Sequence, residues 1–383
     1  MTEANEHKYK GTKGPAARQG LGRLRRANSK TPGRVSGWER RHEDVDFVDQ
    51  HGDSARTGHG GDTLLARFNR LVQGERLAEV QGEYGEICGS NGAIVDVRAA
   101  NGEEIPCHVR QVLKKRIKGV KNPLCVGDQV RFVRTAMGGT ITSIEPRRNQ
   151  LERADSHNRA LIHVFAANLD CLVIVSALAE PDFKAGLIDR YLLIAAGNGI
   201  PAAVVLNKCD LADPAPACNL YRGIGIPTFA VSARSGNGDL AQLREHLRGR
   251  TCVLAGQSGV GKSSLLNALY PDIAARVGAV AQAGFGRHTT SSARSYALSD
   301  GVRLIDTPGV RECSITGLGA LDVALLYPDL SRYQASCRFT NCSHTHEPGC
   351  AVLAALAEGR IAASRYGSYL SIITEDLAES PPS

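Results

Sequence analysis

Apolar and polar positions change texture three times along this chain. Residues 1–80 are rich in Gly, Arg, Lys, Asp and Ser and show little apolar periodicity. Such a segment buries too little to fold alone and is expected to be largely disordered or to order on a partner. One short helix is expected at 64–71. From about 82, short runs alternate. Residues 92–98 place Ile94, Val95 and Val97 in a strand, Asn101-Gly102 offers a tight hairpin turn, and 105–109 follows. Further strands are expected at 129–133, after Gly127-Asp128, and at 140–144, after Gly138-Gly139. Four or five short strands in so little chain imply a small barrel, with a five-stranded OB-fold as its expected form.

From about 151 the runs become continuously apolar: 171–175, 202–206, 228–231, 251–254 and 302–305. They read as parallel strands buried on both faces, separated by helices such as 187–196 and Leu240–Leu247. The fold class expected is therefore multidomain. A β-barrel (OB-fold) at 81–150 leads into a doubly wound α/β domain at 151–318. A mostly helical end follows at 319–383, with helices at 351–357 and 361–373 and a frayed terminus.

Composition adds a direction. The 383 residues carry a net charge of +7. Residues 1–41 hold eleven Lys/Arg and three Asp/Glu, so this arm contributes 11 − 3 = +8 and the rest is near neutral. A basic arm, and a basic loop at Lys114, Lys115, Arg116, Lys118 and Lys121, suit a polyanion such as nucleic acid. No run of about 18 apolar residues points to a membrane span, and no apolar segment follows the basic N-terminus as a secretory signal requires. Eleven cysteines without a regular framework suit a reducing cytoplasm.

The chemistry sits on the expected strand ends. Gly256-Gln257-Ser258-Gly259-Val260-Gly261-Lys262-Ser263, followed by Ser264, matches the phosphate-binding loop G-x-x-x-x-G-K-[ST] between a strand and a helix at 264–269. Its glycines let backbone N–H groups surround phosphate oxygens, Lys262 reaches the β and γ phosphates, and the Ser263 hydroxyl ligates Mg2+. Asp306-Thr307-Pro308-Gly309 follows another strand. Asp306 can hold Mg2+ through water, and the Gly309 N–H can sense a γ-phosphate. Asn207-Lys208-Cys209-Asp210 follows a third. Asp210 can accept two hydrogen bonds from guanine that adenine cannot donate, with Asn207 and Lys208 bracing the loops. Ser232 and Ala233 fit the remaining base-side loop. Between P-loop and Asp306, either Thr289 or Thr290 suits a second Mg2+ ligand. Val310 stands where a water-orienting glutamine is common, so His288 is the candidate to orient water, against the plainer reading of a structural loop histidine.

The order of these motifs is permuted. Asn-Lys-x-Asp and Ser-Ala precede the P-loop, and Asp-x-x-Gly comes last, leading directly into the C-terminal end. There, Cys337, Cys342, His344 and Cys350 form a Cys3His set suited to one closed, structural Zn2+ site, with His346 as a rival to His344.

The loop at 256–264, the Gly-x-His-Thr-Thr segment at 286–290, Asp-Thr-Pro-Gly-Val-Arg-Glu at 306–312 and the cluster at 337–350 closely resemble the RsgA/YjeQ family, circularly permuted GTPases of small ribosomal subunit biogenesis. The resemblance covers about 80–383. It implies an OB-fold, a GTP/GDP- and Mg2+-binding GTPase domain and a zinc domain that together grip the small ribosomal subunit and its rRNA late in maturation. Subunit binding would stimulate hydrolysis, with the histidine matching His288 taking part, and hydrolysis would permit release. The chain is then expected to be a cytoplasmic monomer. The other readings the residues allow are an RNA-binding protein holding GTP as a structural ligand, and an ATP-using P-loop kinase, which Asp210 disfavours.

Overall fold

A computed structural model describes residues 63–74, 82–91, 94–109, 124–154, 162–271, 293–306 and 320–379. The basic arm before residue 63, the basic loop at 114–121, residues 286–290, Gly309, Val310 and the last four residues lie outside the described residues.

Strands β1 (Glu83–Asn91), β2 (Ile94–Ala99), β3 (Glu104–Val109), β4 (Gln129–Thr135) and β5 (Gly138–Ile144) form the barrel. β1, β2 and β3 run antiparallel in sequence, β3 lies parallel to β5, β5 pairs antiparallel with β4, and β4 returns to β1. This closed 1-2-3-5-4-1 ring is the OB arrangement. Alternation builds it: Val95, Val97 and Ala99 point inward from β2, Ile105 and Cys107 from β3, and Val130 and Phe132 from β4. Helix α1 (Leu64–Gly74) plugs the same core with Phe68 and Val72. Burying each of the larger side chains stabilises by about 1.5–3 kcal/mol. The expected hairpin turn is present, with the Glu103 N–H donating to Asn101 Oδ1 at 3.0 Å.

A buried fork closes the barrel where the chain leaves it. Arg147 donates to Asp128 through Nε at 2.7 Å and Nη2 at 2.8 Å, and its guanidinium lies 3.8 Å from the centre of the Phe68 ring. The hairpin β6 (Gln150–Ala154) and β7 (Ile162–Ala167) then enters the α/β domain.

That domain is built on β8 (Cys171–Ala177), β9 (Ala202–Asn207), β10 (Thr228–Ser232), β11 (Asn237–Gly238), β12 (Thr251–Ala255), β13 (Arg294–Ala297) and β14 (Arg303–Asp306). Their order is β11-β10-β9-β8-β12-β14-β13, parallel from β10 to β14, with β11 and β13 antiparallel at the margins. The sheet continues past β13 into β1 of the barrel. Helices cover both faces. Leu172, Ile174, Val204 and Leu206 pack under α2 (Ala185–Gly197) and α3 (Ala215–Gly223). Cys171, Val173, Val175 and Val205 pack under α4 (Leu240–Leu247) and α5 (Lys262–Leu269). Successive residues thus feed opposite cores, which is why these strands read as unbroken apolar runs.

The described residues from Ala320 onward form four helices: α6 (Ala320–Leu326), α7 (Pro328–Gln334), α8 (Ala351–Ala357) and α9 (Ala363–Glu379). They share the core of the α2 face through Val323, Tyr327, Leu330, Tyr369 and Ile373. Arg365, 1% exposed, lies inside this contact. It donates to Asp189 of α2 at 2.6 Å and to both carboxylate oxygens of Asp329, at 2.8 and 3.0 Å. No helix among the described residues is long and apolar enough to cross a membrane.

Candidate functional site

Parallel strands end at one rim of the sheet, and the motif residues leave from that rim. The P-loop joins β12 to α5. Gly256 and Gly261 take φ of +139° and +91°, and a Cβ would meet the Val175 carbonyl oxygen at 2.1 Å and Asn207 Nδ2 at 2.4 Å respectively. Neither position accepts a side chain without breaking the loop's fit to β8 and β9. Lys262 begins α5, and its ammonium donates to the Gly256 and Gln257 carbonyls, each at 2.8 Å. The charge is therefore already folded over the loop that would cradle a phosphate. Ser258 and Gly259 form the loop's exposed tip, Val260 is buried beneath it, and Ser263 and Ser264 open the helix.

Asn207 ends β9, two strands from β12, and is 2% exposed. Its Nδ2 donates to the Val260 carbonyl at 2.8 Å, and its Oδ1 accepts from the Ala233 N–H at 3.1 Å. One amide thus ties the phosphate loop to the Ser232-Ala233 loop. Lys208, at φ +61°, points its ammonium to the Glu180 carbonyl. The Cys209 N–H donates to the Val231 carbonyl at 3.1 Å, which leaves Asp210 exposed at the rim. Hydrogen bonding from Ser232, reinforced by the charges of Arg234 and Lys208, holds the Asp210 carboxyl below the usual aspartate value. It is thus a ready anionic acceptor.

Asp306 ends β14, beside β12. One face meets solvent, but protein packed around the carboxyl pushes its pKa above the usual value, with the Lys262 ammonium opposing. A divalent cation there would reverse that direction. Ser263 and Asp306 could hold Mg2+ between them. His288, Thr289, Thr290 and Gly309 lie outside the described residues.

The metal candidates converge at the C-terminal end. The ligand atoms of Cys337, Cys342, His344 and Cys350 all lie within 4.8 Å of one another. His344 Nδ1 is 3.6 Å from Cys337 Sγ and 3.5 Å from Cys350 Sγ, and those two sulfurs are 3.9 Å apart. Sulfur and nitrogen at such spacings surround a centre of tetrahedral Zn2+ size. Burial, reinforced by the neighbouring Cys350 and Cys337, pushes the Cys342 thiol up to about 12, so holding these thiols together as thiolates calls for a cation. His344 is fully buried and takes φ +59°, while His346 is exposed and turned to Thr345. The geometry therefore selects His344. Glu347 accepts from the backbone N–H groups of Ser343, Thr345 and His346 at 2.6, 3.1 and 3.2 Å, and Tyr366 donates to the His344 carbonyl at 2.8 Å. These contacts hold the histidine's loop: those of Glu347 are local to it, whereas that of Tyr366 follows from α9 packing across it and leaves no trace in the motif.

The order in which the chain visits the rim sets the class. It reaches the Asn207 loop first, then the P-loop, then Asp306, on a sheet whose spatial strand order is that of a P-loop GTPase. This is a circularly permuted GTPase with a barrel ahead of it and a Cys3His helical unit behind. A family model described as RsgA GTPase matches residues 144–316. The small ribosomal subunit biogenesis GTPase RsgA of Porphyromonas gingivalis is 40% identical over 310 residues, 77% of this chain and 98% of the relative. Its namesake from Pseudomonas fluorescens is 42% identical over 300 residues, 76% and 85% of the two chains. The crystal structure of YjeQ from Thermotoga maritima matches with a TM-score of 0.65 at 29% identity, over 78% of this chain and 99% of that one. YloQ, a circularly permuted GTPase, matches at 0.62 and 27%, over 79% and 98%. The chain belongs to the RsgA family of small ribosomal subunit biogenesis GTPases and is a GTP-hydrolysing enzyme.

Proposed function

We propose that this protein binds the small ribosomal subunit through its rRNA, assists late maturation in the cytoplasm as a monomer, and uses GTP hydrolysis to permit release. The observation that carries this reading is the Asn207 bridge between the phosphate loop and the base-side loop, in a chain spanning 98% of a relative named for small-subunit biogenesis. In this reading Asp210 selects guanine, the loop from Gly256 to Ser264 holds the phosphates, and Lys262 neutralises the β and γ oxygens. Ser263, Asp306 and one of Thr289 and Thr290 keep Mg2+ on the nucleotide. The Gly309 N–H senses the γ-phosphate. His288 orients the attacking water, since Val310 has no group that can.

The Cys3His unit would hold one structural Zn2+ and serve as a rigid face for RNA, as its four protein ligands leave no open coordination position. The barrel and the basic arm supply contacts to RNA phosphates, whose affinity falls with salt. The deciding experiment is GTP turnover with and without purified small subunits. A steep rise across the titration is expected, and a flat titration overturns the proposal. His288→Ala should remove the stimulated rate while leaving nucleotide binding in place.

A further inference from the structure

Gly89, Arg294 and Asp306 stand in one row across three strands. Arg294 is the register partner of Gly89 in β1 on one side and of Asp306 in β14 on the other. The residue that joins barrel to sheet is therefore also the immediate neighbour of the acid at the nucleotide rim. Its guanidinium is spoken for by the barrel: Nη1 lies 3.3 Å from Asp96 Oδ2, and Nη2 donates to Glu104 Oε2 at 2.6 Å. Two more ties run the same way. Arg98 of β2 donates to the Ser295 carbonyl at 2.7 Å, and Arg303 of β14 reaches Glu86 of β1 at 3.3 Å.

The fit at Gly89 supports a built contact. A Cβ there would stand 2.8 Å from Asp96 Oδ2 and 3.4 Å from Arg294 Nη1, so the ion pair crosses β1 through the gap left by the missing side chain. The rest of the junction is not saturated. Glu86 Oε1, Arg98 Nη1 and Ser295 Oγ are buried without a hydrogen-bond partner. Partly exposed ion pairs contribute little to overall stability. What two carboxylates converging on one planar guanidinium can do is fix a geometry.

We propose that Arg294 is a positioning residue for the nucleotide site: through Asp96 and Glu104 the barrel sets where β13 lies, and so where β14 presents Asp306. This rests on the reading of Asp306 as the magnesium-side acid. The coupling is reciprocal, so a ligand on the barrel that disturbs Asp96 or Glu104 changes metal retention at the rim, and metal at the rim changes the barrel's affinity.

The test uses the full chain and a non-hydrolysable GTP analogue, and reads the Mg2+ concentration that half-maximally strengthens analogue binding. Asp306→Ala should abolish the Mg2+-dependent gain. Arg294→Ala and Gly89→Ala should each need about threefold to tenfold more Mg2+, with affinity in its absence held within about twofold. Arg294→Lys, which keeps a cation between Asp96 and Glu104, should leave the requirement closer to the wild type than Arg294→Ala does. Should Arg294→Ala fail to fold, Asp96→Asn with Glu104→Gln keeps the arginine and should give the same shift. If Asp306→Ala shifts the requirement and the Arg294 and Gly89 variants do not, the positioning role is wrong. A loss of affinity in Arg294→Ala that is equal with and without Mg2+, and no smaller in Arg294→Lys, also overturns it. An Asp306→Ala protein with a normal Mg2+ requirement overturns the underlying reading of Asp306.

Discussion

Arg365 and Asp189, 176 residues apart in the chain, meet at 2.6 Å in the core between the sheet and the C-terminal helices. Asp329 accepts the other side of the same guanidinium, Tyr221 donates to Asp189 at 3.2 Å, and the Tyr327 ring lies 4.4 Å from the guanidinium carbon. This is the only charged contact between α2 and that unit sealed from water among the described residues.

Arg365→Ala should therefore be costly, because it strands two buried carboxylates. A loss of about 3–5 kcal/mol in urea unfolding is expected. Replacing all three groups, by Arg365→Met, Asp189→Asn and Asp329→Asn, should recover a large part of it, since no unpaired charge is then left inside. A single variant as stable as the wild type would show that water reaches the triad.

The metal centre separates two histidines that are two residues apart. His344→Ala should lower bound zinc, measured by elemental analysis, from one equivalent toward none and loosen the helices after Ala320. His346→Ala should keep the metal, since that ring is exposed and faces Thr345. Chelation of the wild type should reproduce the His344→Ala loss of protection in amide exchange.

Asn207 holds two loops with one amide. Asn207→Ala leaves the buried Val260 carbonyl and the Ala233 N–H without their partner, worth about 1–3 kcal/mol. GDP affinity should fall about tenfold to a hundredfold by equilibrium titration. Gly261→Ala should do at least as much, because its Cβ would displace the same amide from a loop that needs φ +91°.

The two rim aspartates are shifted in opposite directions, and acidification should separate them. Asp210 is held low by Ser232 and the nearby cations, so its carboxylate survives below the ordinary aspartate value of 3.8 and base recognition persists on mild acidification. Asp306 is raised by the protein packed around it, so it protonates while pH is still above that value. In GDP titrations between pH 7 and pH 4, the Mg2+-dependent part of the affinity should weaken first and the Mg2+-independent part later. Saturating Mg2+ should move the first loss to lower pH, as the cation favours the carboxylate.

What could be read along the chain was what local backbone and two-faced burial impose. Strands β8, β9, β10 and β12 announce themselves because every residue meets a core. The P-loop announces itself because a phosphate cradle needs glycine at Gly256 and Gly261. β1 and β13 were not legible. Glu83–Asn91 carries few apolar residues and Arg294–Ala297 is four residues long, and both are strands because neighbours distant in sequence supply their hydrogen bonds. Arg147, Arg294 and Arg365 look like ordinary solvated cations in a chain with 46 Lys and Arg. Only tertiary pairing with Asp128, Asp96 and Glu104, and Asp189 and Asp329 gives them their places.

The join between β1 and β13 also bears on how the protein is made. Strand edges left open invite pairing with other chains. Here one margin of the nucleotide sheet is β11, two residues long, and the other is occupied by the barrel. Asp96 leaves the ribosome 198 residues before Arg294. During synthesis the barrel can be complete before the last sheet strands emerge, and it then offers them a finished edge to build on. The barrel, which precedes the nucleotide sheet in the chain, thus covers the edge at which that sheet ends.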